Sequence, residues 1–168
     1  MAEDPPSASP FPAVPEAAGA ERAQLRPRPT VLLVDDDSTD VLVIREVLER
    51  CGLNFRVEVA RNGQAAVLYL EELAGGPLRV PPALILLDLN LPKIPGLELL
   101  QIIRSDSRWR QVPVIIVTSS QAESDRSAAE RFGANAYFQK PTDLDEYQLL
   151  AELVRGICAP PGEAGEPS

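Results

Sequence analysis

Four apolar runs in this 168-residue chain lead into polar groups that can do chemistry. TVLLV leads into Asp35, Asp36 and Asp37, LILL into Asp88, VIIV into Thr118, and YFQ into Lys140. Asp35, Asp36 and Asp88 gathered in one crevice would repel, raising the pKa of at least one of them. A hard divalent cation removes that conflict, and Mg2+ suits it because it takes oxygen ligands and keeps waters. Each group also has an ordinary use. Aspartate ends strands because it caps helices and makes turns. Thr118 fits an N-cap, and Lys140 fits any exposed surface. The chain has only two lysines, Lys93 and Lys140, among 16 basic residues. An ammonium differs from a guanidinium fork in reach and geometry, so a lysine at that place hints at a specific need. What lifts the set above its parts is that all four arrive, in order, at one edge.

That edge is set by the elements. Thr30–Asp35 and Ala83–Leu87 are apolar runs of buried-strand type. Phe55, Val57 and Val59 alternate with Arg56 and Glu58, as in a half-covered strand. Val112–Val117 and the short Ala136–Phe138 complete five strands. Between them, apolar residues recur at helical spacing. Val41 to Cys51 follow a Ser38 cap and stop at Gly52. Ala65–Leu73 ends at Gly75-Gly76, Leu97–Arg104 opens after Pro95-Gly96, and Glu123–Phe132 ends at Gly133. Leu144–Ile157 is the last helix. Alternating strands and helices predict an α/β fold, a doubly wound five-stranded parallel sheet with five helices. In such sheets ligands bind at the carboxyl ends of strands, beside a switch point in strand order.

Composition narrows the function classes. The chain contains no histidine, which excludes a Cys/His metal site and a histidine-based catalytic triad. The two cysteines, Cys51 and Cys158, read as reduced thiols of a cytoplasmic protein. A net charge of −9 argues against direct nucleic-acid binding, which rests on neutralising phosphates. Apolar runs are too short to span a membrane, and no secretory signal is expected at the N-terminus. Seven of the 17 prolines fall in the first 29 residues. Residues 1–28 are therefore expected to be a disordered Pro/Ala-rich extension, 29–158 the folded domain, and 159–168 a second disordered tail.

VDDD, LDLNLP, an apolar strand ending in Thr-Ser, and Y-x-x-K-P, in that order, resemble the receiver domains of response regulators. The match covers about residues 30–157. The long connection between the second helix and third strand, the run LDLNLPK, and a helix running to the C-terminus look most like the single-domain regulators paired with bacteriophytochromes. The resemblance implies a flavodoxin-like sheet of order 2-1-3-4-5 and a phosphorelay role. Asp88 would accept phosphate from a sensor histidine kinase. Asp36, Asp88 and the backbone carbonyl of Asn90 would bind Mg2+, with Asp35 acting through a metal-bound water. Lys140 would pair with phosphoryl oxygens, before an expected cis Lys140–Pro141 peptide. Thr118 would swing in, and Tyr137 would change rotamer with it. These roles are physically coherent, since phosphoryl transfer needs in-line positioning and neutralised oxygens. Asp37, Ser38 and Pro95 depart from the family's usual Asn, Pro and acidic residue, and the loop after Asp88 would be stiffer.

Two other readings compete. Asp35, Asp37 and Thr39 spell D-x-D-x-T, as in haloacid-dehalogenase-type phosphatases, but those enzymes place a further acidic motif after the lysine, whereas Asp88 precedes it. A pseudo-receiver would keep the fold as an interaction module without phosphorylation. As a receiver, the chain would be regulatory rather than an enzyme on external substrates. It would signal by contact with a downstream target or phosphotransfer protein, or by homodimerising. Leu149, Leu150, Leu153, Val154 and Ile157 exceed what one core face of the last helix needs, which suggests a modest dimer surface.

Overall fold

The computed structural model describes residues 28–77 and 80–158. The extensions expected at 1–28 and 159–168 lie outside these residues, apart from Arg28. The strands are β1 (Thr30–Val34), β2 (Arg56–Ala60), β3 (Leu84–Leu87), β4 (Val114–Thr118) and β5 (Ala136–Gln139). All pair in parallel, in the order β2-β1-β3-β4-β5. The helices are α1 (Ser38–Arg50), α2 (Gly63–Gly75), α3 (Gly96–Ser105), α4 (Glu123–Arg131) and α5 (Gln148–Cys158). The predicted five-stranded, doubly wound α/β fold is the one observed.

Strand residues point alternately to the two faces, and each face has its own core. Val31, Leu33, Leu84, Leu86, Ile115 and Val117 pack with Val41, Ile44 and Leu48 of α1 and Leu150 and Val154 of α5. Leu32, Val34, Ile85, Leu87, Val114 and Ile116 pack with Ala66 and Leu70 of α2, Leu99, Leu100 and Ile103 of α3, and Ala129 of α4. Burial on both faces explains why β1, β3 and β4 read as continuous apolar runs.

Several boundaries differ from the sequence reading, each for a local reason. Asp37, not Ser38, caps α1: its side chain accepts from the amides of Thr39 and Asp40. Asn62 caps α2 by accepting from Ala65, so this helix starts two residues early. β4 begins at Val114 rather than Val112, since Pro113 has no N–H to give a ladder. The helix expected over Leu144–Ile157 is a 3-10 turn (Leu144–Tyr147), capped by Asp143, followed by α5. The apolar surplus of that segment is mostly absorbed by the domain. Leu150 and Val154 are buried, and Leu153 and Ile157 pack against the same core. Leu149 stays exposed.

Candidate phosphoacceptor site

The order β2-β1-β3 places the switch point between β1 and β3, where chain connections run off to opposite sides. The ladder continues one residue past each strand: the Asp35 amide donates to Ala60 O (3.0 Å) and the Asp88 amide to Val34 O (3.0 Å). Parallel pairing thus sets the two aspartates side by side. Carboxylate oxygens of Asp35, Asp36 and Asp88 lie within 4.8 Å of one another. Asp35 and Asp88 are buried, while Asp36 is exposed.

β5 delivers the counter-charge. The Lys140 amide donates to Thr118 O (2.7 Å), extending the β4–β5 ladder. Its side chain then turns into the crevice, where Nζ donates to Asp35 Oδ2 (2.9 Å), Asp40 Oδ2 (2.6 Å) and Asp88 Oδ2 (3.0 Å). The Lys140–Pro141 peptide is trans, correcting the cis expectation; trans is the intrinsically favoured isomer of an X–Pro bond. Burial disfavours the lysine cation, but its bonds to Asp40 and Asp35 and the charge of Asp88 outweigh burial, and its pKa is raised. Asp35 is also raised, by burial first. The Asp37 amide (2.9 Å to Oδ1) and Lys140 oppose that rise.

The loop after β3 is held against Asp88 by backbone contacts. The Asn90 amide donates to Asp88 Oδ1 (3.2 Å), and the Gly96 amide to Leu89 O (3.0 Å). A Cβ on Gly96 would stand 2.2 Å from Asp88 O and 2.6 Å from Leu89 Cα, so only glycine lets α3 start this close to the acid.

Thr118 is fully buried at the end of β4. Its Oγ1 accepts from the Ser120 amide (3.3 Å). Tyr137 donates its hydroxyl to Ser120 O (3.2 Å), and the Arg126 guanidinium lies 4.5 Å from its ring centroid. Ser120 in turn donates to Asp125 Oδ2 (2.6 Å) in the first turn of α4. Thr118 and Tyr137 therefore meet through Ser120 rather than through Asp88.

The chain matches a known family. A family model for the response regulator receiver domain matches residues 31–152. The chain belongs to the response regulator receiver domain family. It is 34% identical to Response regulator Rcp1 of Synechocystis sp. (strain ATCC 27184 / PCC 6803 / Kazusa) over 78% of this chain and 87% of that protein. It is 35% identical to a probable methanogenesis regulatory protein, FilR2, of Methanothrix harundinacea (strain 6Ac), over 74% of this chain and 80% of that one. Among solved structures, the phosphorylated cyanobacterial phytochrome response regulator RcpA superposes with a TM-score of 0.71 at 30% identity. That match covers 84% of this chain and all of RcpA. The haloacid-dehalogenase reading finds no support in these matches.

Within this receiver domain, sequence reasoning placed Asp35, Asp36, Asp88, Thr118 and Lys140 at one edge, and there they are. It missed Asp40 as a partner of Lys140. It also missed Arg61, which follows β2 and donates to Ser38 Oγ (3.1 Å) at the start of α1, and the Ser120–Arg126 setting of Tyr137. An acid in the first turn of a helix reads as dipole compensation, so Asp40 carried no separate signal.

Proposed function

We propose that this chain is a two-component response regulator that accepts a phosphoryl group on Asp88 from a histidine kinase. The observation that carries the reading is Lys140 Nζ 3.0 Å from Asp88 Oδ2, inside a crevice whose three acids fall within 4.8 Å. A carboxylate oxygen of Asp88 attacks phosphorus as the donor's P–N bond breaks. The P–O bond forms, and the departing electron pair stays on the donor's histidine nitrogen. Lys140 meets the charge on the phosphoryl oxygens. The all-oxygen donor set suits Mg2+, which Asp36, Asp88 and the Asn90 carbonyl would hold, with Asp35 contributing through a water. When bound, the cation neutralises phosphoryl charge.

Thr118 then hydrogen-bonds the phosphoryl group, releasing Ser120, and Tyr137 turns with it. Ser120 supports this coupling, because it already holds both side chains. The protein works in the cytoplasm, where kinase and phosphate donors are found. Similarity to phytochrome response regulators favours a bacteriophytochrome as the kinase. The signal leaves by contact with a target or phosphotransfer protein, or through a homodimer seated on exposed Leu149.

Acetyl phosphate or phosphoramidate with Mg2+ tests the reading. Wild type takes up one base-labile phosphate per chain, Asp88→Asn takes up none, and a chelator abolishes labelling. Well-folded wild type that stays unlabelled would make the chain a pseudo-receiver.

A further inference from the structure

Asp40 stands apart from the acid triad. It is not among the three carboxylates that cluster within 4.8 Å, yet its bond to Lys140 is the shortest the lysine makes: 2.6 Å, against 2.9 Å to Asp35 and 3.0 Å to Asp88. An ammonium carries three donors. The three carboxylates therefore saturate it.

On the phosphoacceptor reading, on which this inference rests, the three partners have different fates. Asp88 gives up an oxygen to phosphorus. Asp35 is shared with the cation site. Asp40 takes part in neither, and its position is fixed from below. It sits in the first turn of α1, and its own amide donates to the capping carboxylate of Asp37 (3.1 Å). Its side chain is 27% exposed, against 8% for Lys140, so it reaches the ammonium from the mouth of the crevice.

We propose that Asp40 is a positioning residue for Lys140. One N–H stays anchored on Asp40 while the other two exchange carboxylate oxygens for phosphoryl oxygens during transfer. A charge-assisted bond of this length sets direction as well as distance, and reacting groups displaced by an ångström lose rate steeply. A purely local role for Asp40, as a negative charge at a helix N-terminus, would leave Lys140 indifferent to its removal.

Labelling by acetyl phosphate with Mg2+ separates the two in a double-mutant cycle. Asp40→Ala is expected to lower the maximal labelling rate about tenfold. The donor concentration for half-saturation should move by less than about twofold. Asp40→Asn keeps an oxygen acceptor and loses less. In a Lys140→Ala background neither change costs anything further. Equal losses with and without Lys140 overturn the proposal, as does an Asp40→Ala protein that labels at the wild-type rate.

A second readout needs no phosphoryl transfer. With only two lysines in the chain, nitrogen-15 lysine labelling resolves the Lys140 ammonium by NMR. Its protons should be protected from solvent in wild type and lose that protection in Asp40→Ala; unchanged protection overturns the anchoring role. A wild type that takes no phosphate while this NMR result holds refutes the phosphoacceptor reading and leaves the anchor standing.

Discussion

At Lys140 burial and charge pull in opposite directions, and charge wins. The raised pKa means that the folded state holds this proton more tightly than the unfolded chain does. That stability is fully present below the ordinary lysine value and is lost as pH rises through the raised one. Lys140→Ala leaves Asp35, Asp40 and Asp88 facing one another without their cation. It should destabilise the protein at neutral pH by about 3 kcal/mol in the absence of divalent ions. Millimolar Mg2+ should restore part of the loss by binding only the folded state. Urea midpoints with and without Mg2+ check both; a Lys140→Ala protein as stable as wild type in chelator would contradict the account.

At Cys158 burial and charge act in the same direction. Burial and the neighbouring Cys51 push its thiol up to about 11, so the thiolate is scarce at ordinary pH. Iodoacetamide should alkylate Cys158 slowly in native protein at about pH 8, with a rate that keeps rising towards about pH 11. Peptide mapping by mass spectrometry reads it. A plateau near the value of a free cysteine would refute it.

At the scale of elements, the connection from β3 to α3 depends on one residue without a side chain. Gly96→Ala drives a methyl into Asp88 O and Leu89 Cα, and both are backbone, so neither can rotate away. The expected cost is about 2–3 kcal/mol, seen as a lower urea midpoint with unchanged slope. Labelling of Asp88 should slow as well, because the loop that carries the acid must shift. Pro95-Gly96 was legible as a helix start. The need for glycine there was not, since that arises from the approach of α3 to a loop after another strand. The last helix teaches a related lesson. Leu144–Ile157 has helical periodicity throughout, but Asp143 caps a 3-10 turn and the chain tightens before α5 begins. The dimer surface read from its apolar surplus likewise shrinks to Leu149 once both flanks of α5 are seen to pack.

Across the whole molecule, the sheet is held at its far end by Arg104. This side chain leaves α3 and donates to Val112 O (2.8 Å), Gly133 O (3.0 Å) and Asn135 Oδ1 (3.0 Å). It thereby ties the start of β4 to the α4–β5 turn. Asn135 Oδ1 also accepts from the Val114 amide (2.8 Å). Arg104→Ala leaves these acceptors short of a donor and should cost about 2 kcal/mol. Arg104→Lys should recover little, because one ammonium cannot span the fork. Hydrogen exchange at β4 and β5 amides reports the loss, and unaltered protection there would refute it.

The alternation of strands and helices, the two-sided burial of β1, β3 and β4, and the delivery of Asp35, Asp36, Asp88, Thr118 and Lys140 to one edge are properties of the sequence by itself. They follow from side-chain periodicity and from where each apolar run stops, and both are local. The convergence on Lys140 is a different kind of fact. Its partners Asp35, Asp40 and Asp88 lie 105, 100 and 52 residues away along the chain. Whether each reaches the ammonium depends on the register of β1, β3 and β5 and on the first turn of α1. Only the tertiary structure decided that Asp40 is one of them, because hydrogen-bond reach is a few ångströms and no local pattern records which distant turn packing will bring within it.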